Sequence, residues 1–176
     1  NDSAYYYYLG AEKKYETTKD KENLANTILH KAYVLLYEKD FVGSESETIK
    51  VLNIAKEIND QSLIYECYVN LGSSLSGLGD YNKALEYHQK ALLQIKKIED
   101  ENYKPLLQAQ TLNNIGFVYL SINKFNEASQ IFEEGLKISI SGGLAQFKDE
   151  DALALVKKAD ELLYKAKENG RNRMEK

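Results

Sequence analysis

The sequence predicts an all-α fold in which antiparallel helix hairpins stack into a superhelix, or α-solenoid. Three observations support this prediction. The chain contains one proline, Pro105, so little interrupts a helix. Apolar residues recur at intervals of three and four, and no Val/Ile/Thr-rich alternation occurs before residue 139. The sequence also repeats itself along its length, which indicates stacked structural units.

Two segments, residues 68–91 and residues 112–135, align best with each other. Their small residues are Gly72, Ala84 and Ala91 in the first and Gly116, Ala128 and Gly135 in the second. Two helices approach closely only where side chains are small, so these positions mark helix-to-helix contacts. A weaker copy spans residues 28–51, where Lys31 and Thr48 stand at positions that are usually apolar in such repeats.

Each helix of the solenoid can be placed from this alignment. Residues 4–11 match the second helix of a unit, so the chain starts halfway through a repeat. Pro105 suits the first turn of a helix, where its missing N–H is not needed. Four successive tyrosines, Tyr5 to Tyr8, cover every face of the first helix, so at least one should be exposed. The predicted helices are 3–18, 22–38, 42–58, 61–78, 81–98, 105–121 and 125–138.

Composition excludes several classes of protein. Of 176 residues, 43% are hydrophobic and 28% are charged, which is typical of a folded chain and not of a collagenous or disordered one. The formal net charge of −4 argues against nucleic acid as a partner. No apolar run approaches the roughly 20 residues that cross a bilayer, so we expect no membrane segment within this chain.

The single cysteine, Cys67, excludes an intrachain disulfide and fits a reducing compartment. We expect a cytoplasmic location, or a periplasmic one if a leader was removed upstream. His30 and His88 are too far apart in sequence to form a metal motif, and His88 stands at a position that a large apolar residue usually takes. We therefore predict no metal site and no cofactor, and packing roles for Cys67 and His88.

Residues 4–138 resemble the tetratricopeptide repeat (TPR) in the spacing of their small and large residues, and we treat residues 1–138 as a half repeat plus three repeats. The resemblance implies that the first helix of each hairpin lines a concave surface that binds a protein or peptide. The inward positions would carry Asn26, Tyr33, Tyr37, Glu66, Asn70, Ser73, Gln110, Asn113, Asn114 and Phe117. Asn70 and Asn114 occupy the position at which TPR proteins often hold a peptide backbone, since an amide supplies both donor and acceptor.

The segment 139–176 departs from the repeat and is treated as a second unit. Residues 139–147 alternate and contain glycine, which predicts a strand, and an apolar stripe at Leu155, Ala159 and Leu162 predicts a helix over 151–168. Residues 159–173 resemble the C-terminal signature of GGDEF-type diguanylate cyclase domains, and residues 139–145 resemble the strand that precedes it there.

That second resemblance implies an α/β domain that makes cyclic di-GMP from GTP, with Lys167 and Arg171 at the positions that contact phosphate. The Gly-Gly-Asp/Glu-Glu-Phe turn and the metal-binding carboxylates are absent. We therefore predict that this chain has no catalytic residues and is not an enzyme as given.

Three functions remain open at this point. The leading one is a protein- or peptide-binding module, for which the resemblance of the tail implies a role in bacterial cyclic di-GMP signalling. The second is that the chain is part of a complete TPR–diguanylate cyclase. The third is a structural scaffold that oligomerises, in which the tyrosine run could contact a second copy in a homodimer.

Overall fold

The computed structural model describes the backbone of residues 2–146 and the side chains of residues 4–138. Over this range the chain forms an all-α solenoid of antiparallel hairpins, as predicted. The helices are α1 (Asp2–Thr18), α2 (Lys21–Tyr37), α3 (Phe41–Glu57), α4 (Gln61–Gly77), α5 (Tyr81–Ile95), α6 (Lys104–Ser121) and α7 (Phe125–Gln146). The predicted helices are confirmed with two differences. Helix α5 ends three residues early, so residues 96–103 form a connection, and α7 continues to residue 146 instead of ending at residue 138.

Aspartates that recur every twenty residues begin the helices α2 to α5. Asp20, Asp40, Asp60 and Asp80 each accept a hydrogen bond on the side chain from the backbone N–H three residues later. These bonds satisfy N–H groups that have no partner within the helix. The residue before each aspartate has a positive φ, and at Gly79, where φ is 83°, the absence of a side chain removes the strain. The local turn thus sets the length of each hairpin.

The hydrophobic core runs between the two helix layers. Its largest part joins α2, α3 and α4 through fully buried residues such as Ile28, Leu29, Val51 and Leu71. Small residues let neighbouring helices approach closely. Four of them, on α2, α3 and α5, have no exposed surface: Ala25, Ala55, Ala84 and Ala91. The core is therefore continuous from one hairpin to the next, as a solenoid requires.

The two polar residues of the weak first copy are buried in the structure and have partners there. Lys31 is 3% exposed, and its Nζ lies 2.5 Å from Glu12 Oε2 and 3.1 Å from Glu47 Oε2. Burial lowers the pKa of Lys31, but the hydrogen bonds and charges of the two glutamates outweigh it, so the pKa lies above its ordinary value. Thr48 donates to the carbonyl of Ser44 at 2.7 Å. Ion pairing and local hydrogen bonding replace the apolar contacts of the other copies.

The helices form an inner and an outer layer. In the inner layer, α2 contacts α4 and α4 contacts α6. In the outer layer, α3 packs against α2 and α4, and α5 packs against α4 and α6. The helices α2, α4 and α6 therefore stand side by side along one face. This is the arrangement that the TPR resemblance implies, and it places the predicted groove on these three helices.

The predicted strand at residues 139–147 is wrong over the described residues, since α7 continues through residue 146. The alternation of Ile and Ser at residues 138–141 was misleading. A lone strand would leave its N–H and C=O groups unpaired, whereas a helix pairs them within the segment. The predicted helix over 151–168, with Lys167 and Arg171, lies outside the described residues.

Glycines in the inner helices admit large side chains from the outer helices. A Cβ on Gly72 would lie 2.5 Å from Cε1 of the His88 ring, and a Cβ on Gly116 would collide in the same way with the Phe132 ring. His88 is 1% exposed, so its predicted packing role is confirmed. His88 therefore fills the space above Gly72.

His88 should make the stability of the fold depend on pH. Burial lowers the pKa of its imidazole to about 4, from about 6.5 when unfolded, and Nδ1 has no hydrogen-bond partner among the described residues. The unfolded chain therefore binds a proton before the folded chain does, so stability is full above pH 6.5 and falls as the pH drops toward 4. The His88→Phe variant places a phenylalanine above Gly72, as Phe132 stands above Gly116. Its free energy of unfolding, measured with urea, should no longer show this loss between pH 6.5 and 4. If the free energy of unfolding of the variant falls between pH 6.5 and 4 as steeply as that of the wild type, the buried neutral histidine is not the source of the fall.

Candidate binding groove

The side chains predicted to line the inner face differ widely in exposure. Tyr37 and Phe117 are 80% and 56% exposed, and Gln110 and Asn113 are also exposed. The partly buried members of the set are Asn26, Tyr33, Glu66, Ser73 and Asn114. Asn70 alone of the ten is buried. Nine of the ten predicted residues therefore present some surface, although this does not test whether they bind a ligand.

The prediction that Asn70 faces the groove is wrong. Its side chain is 1% exposed, and its amide donates to Ser44 Oγ at 3.1 Å and to Thr48 Oγ1 at 2.6 Å. Ser74 also donates to Ser44 Oγ at 3.1 Å, so four buried polar side chains form one network between α3 and α4. Because a buried amide needs partners, the polar residues of α3 hold Asn70 inside the hairpin.

This network predicts different effects for two equivalent asparagines. Asn70→Ala should lower the free energy of unfolding by about 1–2 kcal/mol, because Ser44 and Thr48 lose a buried partner. Asn114→Ala, at the same position of the next inner helix and only partly buried, should change it by less than about 0.5 kcal/mol. Urea unfolding of both variants makes the comparison. Equal losses would mean that the network contributes nothing specific.

A central cleft of about 440 Å³ opens between α2, α4, α6 and the connection before α6. Its lining residues are Tyr33, Ser62, Tyr65, Glu66, Val69, Ile98, Asp100, Tyr103, Leu107 and Gln110. Three of them, Tyr33, Glu66 and Gln110, belong to the predicted inner face. Aromatic and apolar side chains make most of its wall, and two carboxylates and an amide supply the polar groups. This is the composition of a binding cleft.

The walls of the central cleft are held by hydrogen bonds. The Tyr33 hydroxyl donates to Glu66 Oε2 at 3.0 Å, which ties α2 to α4. Burial, and then the charge of Glu66, raise the pKa of Tyr33, so its phenol stays protonated and keeps this bond. On the other side, the Tyr65 hydroxyl lies 3.1 Å from the carbonyl of Leu107 and 3.0 Å from Thr111 Oγ1. The cleft is therefore preformed by three inner helices.

Two further clefts adjoin the central cleft, one between α1 and α2 and the other between α6 and α7. The N-terminal cleft is lined by Ala4, Tyr8, His30, Tyr33, Val34 and Tyr37. The C-terminal cleft is lined by Leu106, Ala109, Gln110, Asn113, Phe132, Gly135 and Leu136. Tyr33 lines both the N-terminal and the central cleft, and Gln110 lines both the central and the C-terminal cleft. We call this row of three clefts the groove.

Aromatic rings dominate both ends of the groove. At the N-terminal end the His30 ring stacks on Tyr8 with centroids 5.8 Å apart and lies 6.3 Å from the Tyr33 ring. At the other end Phe117 meets Phe132 edge to face at 5.5 Å. Of the tyrosine run, Tyr6 and Tyr7 are 71% and 80% exposed, which confirms that the run cannot be buried as a whole.

Sequence analysis did not find Asp100 and Tyr103 as groove residues. Both lie in the connection between α5 and α6, and the prediction also left them outside the helices 81–98 and 105–121, so no inner-helix position of the repeat fell on them. The connection begins three residues earlier than predicted, and the residues at 96–98, Lys-Lys-Ile, carry no glycine or proline that would indicate the end of a helix. The available signal was the acidic run before Pro105, which is unusual inside a helix hairpin.

Chemistry beyond binding finds little support among the described residues. Burial, and then the charge of Glu66, raise the pKa of the Cys67 thiol to about 12, so the thiol is unreactive at neutral pH. Cys67 has no exposed surface, which confirms its predicted packing role. No cluster of three His, Cys, Asp or Glu side chains with metal-binding geometry occurs between residues 4 and 138. None of the seven described helices is both long and apolar enough to cross a bilayer.

The comparison with known families shows what type of repeat these hairpins resemble. Residues 60–141 match the family model of the tetratricopeptide repeat. Over these residues the chain is similar to tetratricopeptide repeats. The match covers α4 to α7 up to residue 141, which includes the two copies that align best and the inner helices of the central and C-terminal clefts. The preceding hairpin of α2 and α3 continues the same geometry.

Two solved structures share the fold. The TPR domain of Arabidopsis FLU is 19% identical to this chain and superposes with a TM-score of 0.60. The match covers 69% of this chain and 98% of that one. BtubC from P. vanneervenii is 21% identical with a TM-score of 0.69, over 80% of this chain and 57% of that one. At these identities the likeness concerns the fold alone.

One curated relative shows how partial the sequence match is. Outer dynein arm-docking complex subunit 4 of Danio rerio is 30% identical over 136 residues. The match covers 65% of this chain and 27% of that protein. The chain thus spans about a quarter of the length of that relative.

Proposed function

We propose that this chain is a protein-binding module whose groove holds an extended or helical segment of a partner protein. The observation that carries the proposal is the continuity of the three clefts, which adjoin each other through the shared residues Tyr33 and Gln110 and are lined by α2, α4 and α6 with additions from α1 and α7. A row of connected clefts suits a chain-like ligand better than a small molecule, which would occupy one cleft.

The exposed side chains of the groove support the same proposal. Tyr37, Tyr103 and Phe117 are each more than half exposed, and all three lie on or beside the inner helices. Tyrosine and phenylalanine contribute strongly to protein interfaces, because they bury a large area and lose little conformational freedom. The groove is already formed by the hydrogen bonds of Tyr33 and Tyr65, so little ordering opposes binding.

The proposal can be tested by site-specific photo-crosslinking in the native host. A benzoylphenylalanine at Tyr37 or Asn113, both exposed in the groove, should form a covalent adduct with a partner protein. The same group at Gln89 on α5 or Gln130 on α7, which are exposed on the outer helices, serves as the control and should give no specific adduct. Adducts from the outer positions only would overturn the proposal. An adduct at twice the mass of the chain would favour the homodimeric scaffold.

The link to cyclic di-GMP remains a finer proposal and rests on one segment. The helical course of residues 139–146 removes the strand that formed half of the resemblance. What supports the link is the sequence of residues 159–173 alone, where Lys167 and Arg171 stand at the phosphate-contacting positions. The complete TPR–diguanylate cyclase is the corresponding alternative, and the mass of the intact protein from its host would separate the two.

A further inference from the structure

The central cleft carries negative charge and no positive charge. Glu66 on α4 and Asp100 in the connection before α6 both line it, and no lysine, arginine or histidine does. Within residues 4–138, neither carboxylate forms an ion pair with a cationic side chain, although other carboxylates of the chain do. The Tyr33 hydroxyl fixes Glu66 Oε2 in place without neutralising its charge. The cleft therefore has an electrostatic preference that the fold itself does not satisfy.

The remaining walls suit a long cationic side chain. Tyr33, Tyr65 and Tyr103 offer aromatic rings, whose faces attract cations. The chain already shows this contact elsewhere, because Lys90 Nζ lies 4.4 Å from the centroid of the Tyr87 ring. Val69 and Leu107 add apolar surface against which the aliphatic part of a lysine or arginine can pack.

Other occupants fit these walls less well. An acidic segment would bring its carboxylates close to Glu66 and Asp100, and like charges in a partly buried cleft repel each other. A bare metal ion would find two carboxylates, and no cluster of three metal-binding side chains occurs among the described residues. A purely apolar side chain would bury both carboxylates without a partner.

We infer that the central cleft receives a lysine or arginine side chain of the partner protein. The inference rests on the proposed function and specifies it further, because it names the charge of the partner segment. The tyrosines enclose the stem of the side chain, and its cationic end lies between Glu66 and Asp100. The clefts on either side hold the neighbouring residues of the same segment. Binding should accordingly weaken at high salt.

Random peptides displayed on phage provide a probe that presumes no partner. They are selected on the full chain, and the best binders are synthesised and measured by fluorescence anisotropy. We expect enrichment in lysine or arginine, and a loss of affinity of about tenfold or more when the key arginine is replaced by citrulline, its neutral isostere. Glu66→Gln with Asp100→Asn should cause a similar loss. The control, Glu86→Gln with Glu133→Gln on the exposed outer helices, removes the same charge and should leave affinity within about twofold.

The outcomes separate this inference from the proposed function. Peptides that depend on the groove, as judged by loss with Tyr37→Ser and Phe117→Ser, but that lack basic residues would overturn the inference and leave the proposed function standing. Peptides that ignore all groove variants would overturn both. The chain's own tail is basic between residues 165 and 176. If Arg171→Gln with Arg173→Gln raises peptide affinity tenfold, the tail is the occupant and the inferred partner segment is wrong.

Discussion

Lys31→Met is expected to lower the free energy of unfolding by about 3 kcal/mol. Lys31 is 3% exposed and pairs with both Glu12 and Glu47, whose side chains are each 14% exposed. Removing the cation leaves two poorly hydrated carboxylates facing each other, and breaking a buried pair in this way costs about 3–5 kcal/mol. The lower end applies here, because both carboxylates retain some contact with water. Urea unfolding at pH 7 measures the change.

Lys50→Met is the matched control for this prediction. Lys50 pairs with the same Glu47 at 2.9 Å, but its side chain is 54% exposed. A surface ion pair of this kind contributes about 0–1 kcal/mol, so its loss should be small. If Lys31→Met and Lys50→Met have equal effects, burial is not what makes the Lys31 pair important.

The same pair also predicts a pH dependence. In the folded wild type, burial raises the pKa of Glu47, but Lys50 and Lys31 outweigh it, so the pKa lies below its ordinary value. Stability from this group is therefore present above the unfolded pKa of about 4.3 and is lost as the pH falls through it. In Lys31→Met, Glu47 loses one of these two cations and keeps its burial, so its pKa in the folded state should rise. The difference between variant and wild type should therefore shrink as the pH falls from 7 to 4.

Gly72→Ala is expected to destabilise the fold by about 2 kcal/mol, within the range for overpacked cores. The added Cβ would lie 2.5, 2.7 and 2.8 Å from three atoms of the His88 ring, which is buried and has no room to withdraw. An exposed helical glycine behaves in the opposite way. Gly10 has no atom within 4 Å of its Cβ position, so Gly10→Ala should stabilise by about 0.5–1 kcal/mol through helix propensity.

Thermal melting of the two glycine variants decides between packing and propensity. We expect Gly72→Ala to lower the melting temperature and Gly10→Ala to raise it. Gly116→Ala should also lower it, because Phe132 occupies the space above Gly116. Two shifts of the same sign would mean that the inner and outer helices do not meet at these glycines.

The helices could be predicted from sequence because one pattern is used repeatedly. Small residues at Gly72, Gly116, Ala84 and Ala128 recur at matching positions, and the aligned copies place the helices around them. Capping by the aspartates reinforces the same boundaries through local hydrogen bonds. Wherever local and tertiary signals agreed, the prediction was correct.

The errors arose where a tertiary partner overrode the pattern. Asn70 stands at a position between the groove and the hairpin interior, and spacing alone cannot show that Ser44 and Thr48 on α3 hold it inside. The alternation after residue 138 resembled a strand, although no neighbouring strand was available to pair with it. Asp100 and Tyr103 line the central cleft from a connection between helices, where the repeat pattern assigns no groove position.

Hydrogen–deuterium exchange tests the central claim, that the groove on α2, α4 and α6 is the binding surface, most directly. The full chain is compared with and without a partner recovered by crosslinking or a peptide selected on phage. We predict added protection in the second half of α2, in the first halves of α4 and α6 and in the connection at residues 96–103, with little change in α3 and α5. Protection confined to α3 and α5 would contradict the claim.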